Sequence, residues 1–304
     1  TDIAADWTVA GNWSAGIIPD VTQAAILQGS ATATHASGTD TVGALDADTA
    51  LTISGGAITV DGDADFAGTV TLSGAGALTL DGDSIFHGGF SLADTATFTV
   101  NGDASMTGAP ALTLDDETIS GMGSITTNGT ITTQGTTAIQ PTLTVETGGS
   151  LIVGAGSSTV TTLSNGLIND GTVRLYSFGA GPGTQTLVVN GGAFINTGTI
   201  LSNSTGAHTI DASITNLGIV DVTASLVLNN AGEVFDSSAG TLAFNGGALD
   251  VNGGEVILST GTTVTGTANI DLNNTVTLTL PSAFTLPSGT LDMLGDVTVQ
   301  GAGI

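Results

Sequence analysis

TVDGDADFAG (residues 59–68), TLDGDSIFHG (79–88) and TVNGDASMTG (99–108) are one phrase written three times at an interval of twenty residues. A fixed internal period of this size marks a repeat architecture, in which each unit is too small to bury its own apolar face and must stack on its neighbours. Laid on one another, the repeats align Asp61, Asp81 and Asn101, then Gly62, Gly82 and Gly102, then Asp63, Asp83 and Asp103. Three positions further on come Phe66, Phe86 and Met106, and Gly68, Gly88 and Gly108 close the block. Ahead of it, Ile58 and Val60, Leu78 and Leu80, and Phe98 and Val100 alternate with Thr59, Thr79 and Thr99. Period two in β-branched residues reads as a strand with the aliphatic side chains inward and Thr outward. Val70 with Leu72, and Phe90 with Leu92, give each unit a further strand.

Two or three short strands per twenty residues, separated by Gly, Asn and Asp, make one coil of an all-β solenoid. The predicted fold is a right-handed parallel β-helix with coils of roughly 20 residues, because parallel crossovers almost always take that hand. One elongated domain over 1–304 is expected, with 1–25 as an N-terminal cap region. Beyond residue 120 the corner phrase changes to NGTI (128–131), NDGTV (169–173), NTGTI (196–200), NLGIV (216–220), NAGEV (230–234) and NGGEV (252–256). Gly and Asn at these corners are expected to supply left-handed backbone. LYSFGAGPGTQ (175–185) is expected to be a loop.

Composition narrows the function. The 304 residues include 46 Gly, no Cys, 27 acidic residues and a single basic one, Arg174, for a formal charge of −26. Such a charge repels nucleic acid and anionic lipid. No apolar run is long enough to span a bilayer as a helix, so neither nucleic-acid binding nor membrane insertion is expected. With 40% apolar residues the chain is too hydrophobic to be a disordered acidic tail.

The ends carry the assembly argument. Trp7 and Trp13 are large enough to lid the first coil, and Pro19 can end a pairing edge. At the other end Leu291, Met293, Val297 and Val299 are apolar at strand spacing, with no lid after them. This pattern predicts an open apolar coil that meets the Trp7/Trp13 region of a second copy head-to-tail, a contact that builds filaments because it does not close.

The opening DWTVAGNWSAGIIPDVTQAAI (6–26), with the compact motif GNWSAGIIP (11–19) and the Asn-x-Gly-Thr-Ile corners, resembles bacterial surface β-helix proteins. Autotransporter passengers and filamentous haemagglutinin-like adhesins are the groups it is similar to. That resemblance implies secretion to the bacterial cell surface and, as an alternative to a filament subunit, an adhesin stalk binding a host surface, an abiotic surface or a glycan.

The Asp column is the candidate for chemistry. Carboxylates one coil apart repel by about 1 kcal/mol in water and about 3 kcal/mol at an effective dielectric near 20. Gly-turn amides or Ca²⁺, which favours oxygen clusters, would offset this, so Asp61, Asp63, Asp81, Asp83 and Asp103 form a candidate Ca²⁺ site. Enzymes on this fold need more than the chain offers. A lyase needs a basic residue, and only Arg174 exists; a glycosidase needs opposed carboxylates in an aromatic groove. His35, His87 and His208 are scattered without ligand spacing and read as surface residues. Outward Thr ranks admit ice binding as a minor alternative, but Thr is also the ordinary outward strand residue. The expectation is a non-enzymatic extracellular structural protein.

Overall fold

The computed structural model describes residues 5–108, 110–154, 158–177 and 183–303. The start of the cap, 1–4, and the centre of the expected 175–185 loop, 178–182, lie outside them; the loop's last residues instead begin the strand Gly183–Val189. The chain is an all-β solenoid of parallel strands with about 13 turns and a coil of about 21 residues. The described residues contain no α-helix, only a 3₁₀ turn at Ala10–Asn12. Packing divides the chain into two compact units, 1–132 with 137–143, and 133–136 with 144–304.

In the first unit a coil is three strands. Ala57–Val60, Ala64–Phe66 and Val70–Leu72 are followed by Ala77–Leu80, Ser84–Phe86 and Phe90–Leu92. The three strands of the first coil pair in parallel with those of the second, each residue with the one twenty further on: Ile58 with Leu78, Phe66 with Phe86, Leu72 with Leu92. The expected interior row is present, since Phe86 pairs with both Phe66 and Met106, and the Phe66 and Phe86 rings stack at 4.6 Å. Ile58, Phe66, Leu78, Phe86 and Phe98 are wholly buried. The corner glycines are required by close approach. A Cβ on Gly82 would strike the backbone of Gly62, and one on Gly102 the carbonyl of Gly82, so the corner stacks only without side chains.

The second unit uses a different corner. Asn169, Asn196 and Asn216 are wholly buried and stand in register on successive coils. Asn169 Nδ2 donates to Asn196 Oδ1 at 2.6 Å, Asn196 Nδ2 to Asn216 Oδ1 at 2.7 Å, and Asn216 Nδ2 to Ser237 Oγ at 2.9 Å. Each amide also donates to a carbonyl, those of Thr199, Ile219 and Thr241. This corrects the expected reason for Asn at the corners. The described non-glycine residues with left-handed backbone are Asp94, Asp116 and Asn274, so these three asparagines are there for their side chains. The glycine two residues on has the close-approach role again: a Cβ on Gly198 would meet the carbonyl of Gly171, and one on Gly218 that of Gly198.

Candidate functional site

The Asp column falls where the repeats place it, one residue ahead of the paired Ala64, Ser84 and Ala104. All five predicted carboxylates are exposed. Two of them take a donor from the next coil: Asn101 Nδ2 donates to Asp81 Oδ1 and Ser124 Oγ to Asp103 Oδ1, each at 2.7 Å. Asp63 and Asp83 line a groove of about 580 Å³ with Asp46 and Asp65, walled by Ile26 and Ile85. Among the described residues no three His, Asp or Glu side chains converge closely enough to hold a metal ion. Its carboxylates are spread along an open face, and the hydrogen-bond donors they use are side chains of the fold itself.

Two of the three histidines are inside, contrary to the expectation for them. His35 is wholly buried, with Nε2 2.8 Å from Asp40 Oδ2 and Nδ1 2.9 Å from the Gly55 carbonyl. His208 is wholly buried between Ser202 and Ser204. Strand alternation explains both: His35 pairs with the interior Ile53 and His208 with the interior Leu226. His87 is exposed at a turn, as expected, 3.6 Å from Asp65. The single basic residue, Arg174, lies 3.9 Å over the Tyr176 ring and donates from Nε to Asn203 Oδ1 at 2.9 Å.

At the N-terminal end Trp7 is 2% exposed. Its ring meets Trp13 edge-on at 4.9 Å, and Trp13 Nε1 donates to the Trp7 carbonyl at 2.8 Å. Trp7 N donates to the Thr34 carbonyl, which ties this segment to the strand Ala33–His35. Asp6 and Asp20 brace the segment by the same short device: each Oδ1 accepts the hydroxyl and the amide of the Thr two residues on. The Thr8 and Thr22 hydroxyls, then their amides, hold both carboxyls below the usual carboxylate range. Trp7 therefore faces its own coil, while Ile17 and Ile26 are exposed beside Trp13, and Val9 and Val21 are exposed in the same segment.

The C-terminal residues continue interior rows. Leu291 pairs with Ile270, Met293 with Leu272, Val297 with Val276 and Val299 with Leu278. The four preceding members are 2% exposed or less, whereas Met293 is 50% exposed and Leu291, Val297 and Val299 are only half-buried. Gly289–Met293 and Asp296–Gln300 thus set their apolar side chains on the rows of the coil before them.

Comparison of the chain with protein-family models, with curated proteins and with solved structures finds no match.

Proposed function

We propose that the chain is a non-enzymatic structural protein of the bacterial cell surface or extracellular matrix, a subunit that stacks head-to-tail on further copies of itself. The observation that carries this reading is the coil-to-coil register, in which each coil offers the next the same apolar rows and hydrogen-bond groups, as Ile270, Leu272, Val276 and Leu278 do for Leu291, Met293, Val297 and Val299. A parallel ladder ends with hydrogen-bond groups and apolar side chains suited to one more coil of the same kind. At the N-terminal end the strand Ala24–Leu27 pairs with Ala44–Ala47 and exposes Ile26 beside Ile17. Parallel pairing keeps strand direction from one coil to the next, so a head-to-tail contact continues a ladder, and Ile17 and Ile26, exposed beside Trp13, offer the contact in place of the buried Trp7. Secretion rests on the repeat style and the acidic, nearly Lys/Arg-free composition, which offers trypsin-like proteases a single site at Arg174.

Sedimentation velocity and electron microscopy across a concentration series test the proposal. The expected result is open-ended polymer that shortens in Met293→Asp, a change at a half-exposed position that leaves the coils below intact. Monomers at every concentration would overturn the filament and leave the adhesin-stalk reading.

A further inference from the structure

We infer that Ser204 is an activated nucleophile, with His208 as its base, and that it takes an acyl group from a donor with a good leaving group. The inference begins with an accounting of protons. Ser202 Oγ lies 2.6 Å from His208 Nδ1 and also 2.9 Å from the Ala224 carbonyl and 3.3 Å from that of Ser225. Carbonyls only accept, so the Ser202 hydroxyl proton goes to them. Ser202 Oγ then accepts from His208, which places the imidazole proton on Nδ1. The bare nitrogen is Nε2, and it faces Ser204 Oγ at 3.0 Å. Ser204 Oγ accepts the amide proton of Ser177 at 2.8 Å, so its own proton points to Nε2.

This is a nucleophile, a base and an orienting group in hydrogen-bond contact. His208 is wholly buried and Ser204 half-buried, so the nucleophile sits at the edge of the site and the base behind it. Burial holds the imidazole below its ordinary pKa, so it is neutral at neutral pH, the form a base needs. Ser202 stands in a row with Val153, Leu175, Val222 and Phe244, and His208 is the last member of a buried polar run, Thr159 and Gln185 before it, whose row turns apolar at Leu226, Leu249 and Ile270.

In the step, Ser204 Oγ attacks the carbonyl carbon of the donor while its proton passes to His208 Nε2. The bond from that carbon to the leaving group, carbon–oxygen in an aryl ester or carbon–sulfur in a thioester, then breaks, the leaving phenol or thiol takes the proton from His208, and an ester remains on Ser204. An aryl ester or thioester donor suits the site because its leaving group departs readily, so a nucleophile and a base suffice.

The composition makes the test clean, since the chain has no Lys and no Cys to compete. The full chain is incubated with p-nitrophenyl acetate and the acetylated peptide mapped by mass spectrometry. Ser204 is expected to be acetylated at least about 100-fold faster than the other hydroxyls, the lower end of general-base assistance. Ser204→Ala should lose that adduct, and His208→Gln should slow it by about the same factor. Adducts spread evenly over many hydroxyls, none at all, or an unchanged rate in His208→Gln would overturn the inference. If His208→Gln fails to fold, the imidazole ¹⁵N spectrum of the unaltered protein decides: protonation at Nδ1 supports the assignment and protonation at Nε2 overturns it.

Discussion

The coils of 57–108 and those of 169–241 solve one problem in two ways. Both must hold parallel strands in register along a stack, and a slip of one residue would turn every interior side chain outward. In the first region shape does this: Phe66, Phe86 and Met106 form an interior row, and Gly62, Gly82 and Gly102 let the corner close. In the second, hydrogen bonds do it, through the chain of amides from Asn169 to Ser237. Packing tolerates small errors and penalises missing volume. Amide ladders tolerate little, because Asn196 and Asn216 each accept from the coil before and donate to the coil after.

Removing volume from the first region should give the largest effect. Phe86→Ala leaves a hole bounded by Phe66, Phe90 and Phe98, whose rings lie 4.6, 5.3 and 6.0 Å from that of Phe86. A loss of about 4 kcal/mol is expected from such a deletion in a packed core, read as a fall in the urea midpoint. A loss below about 1 kcal/mol would mean that the row does not hold this region together.

The second region can be tested by two substitutions to the same residue with opposite expected signs. Asn196→Leu leaves Asn169 Nδ2 and Asn216 Oδ1 each short of a partner, and should destabilise by about 2–3 kcal/mol. Gln185 is equally buried, but among the described residues neither of its amide atoms has a partner. Gln185→Leu should therefore stabilise by about 1–2 kcal/mol by removing an unpaired polar group. If both changes shift the urea midpoint the same way, burial rather than pairing governs this interior, and the contrast between the two regions collapses.

The first region was legible in the sequence because its coils have equal length. Phe66, Phe86 and Met106 fall twenty residues apart, so alignment on the page is alignment in space. The buried polar row of the second region was not. Thr159, Gln185, His208 and Leu226 are in register, yet they stand 26, 23 and 18 residues apart because loops of different length intervene. The Asn corners could be read as corners from their phrase, but not their purpose, since Asn suits both a left-handed turn and a buried ladder. His35 was recoverable: in Ala33-Thr34-His35 it shares the parity of a buried Ala, and alternation alone places it inward. The terminal rows were legible from apolar spacing, whereas the inward turn of Trp7 depended on its pairing with the strand 33–35.

The smallest effect concerns outward ladders, where the coils that follow the second region set like charges side by side. Asp250 pairs in register with Asp271, and Asp271 with Asp292. Burial raises the Asp250 carboxyl above its ordinary pKa, and its hydrogen bond with Asp271 and the charge there raise it further. A carboxyl whose folded pKa lies above its unfolded one binds its proton more tightly in the folded state. Its contribution is therefore present in acid and is lost as the pH rises through the folded value, so that at neutral pH the pair opposes folding. Asp250→Asn keeps a donor toward Asp271 without needing a proton. It should stabilise at neutral pH by less than about 1 kcal/mol, since the pair is partly open to water and screened by salt. The gain should vanish in mild acid, where Asp250 is already protonated. Urea midpoints of both proteins at the two pH values measure this. A gain of equal size at both, or a loss at neutral pH, would show that the two carboxyls do not share a proton and that the ladder tolerates their charges as readily as the open Asp column of the first region does.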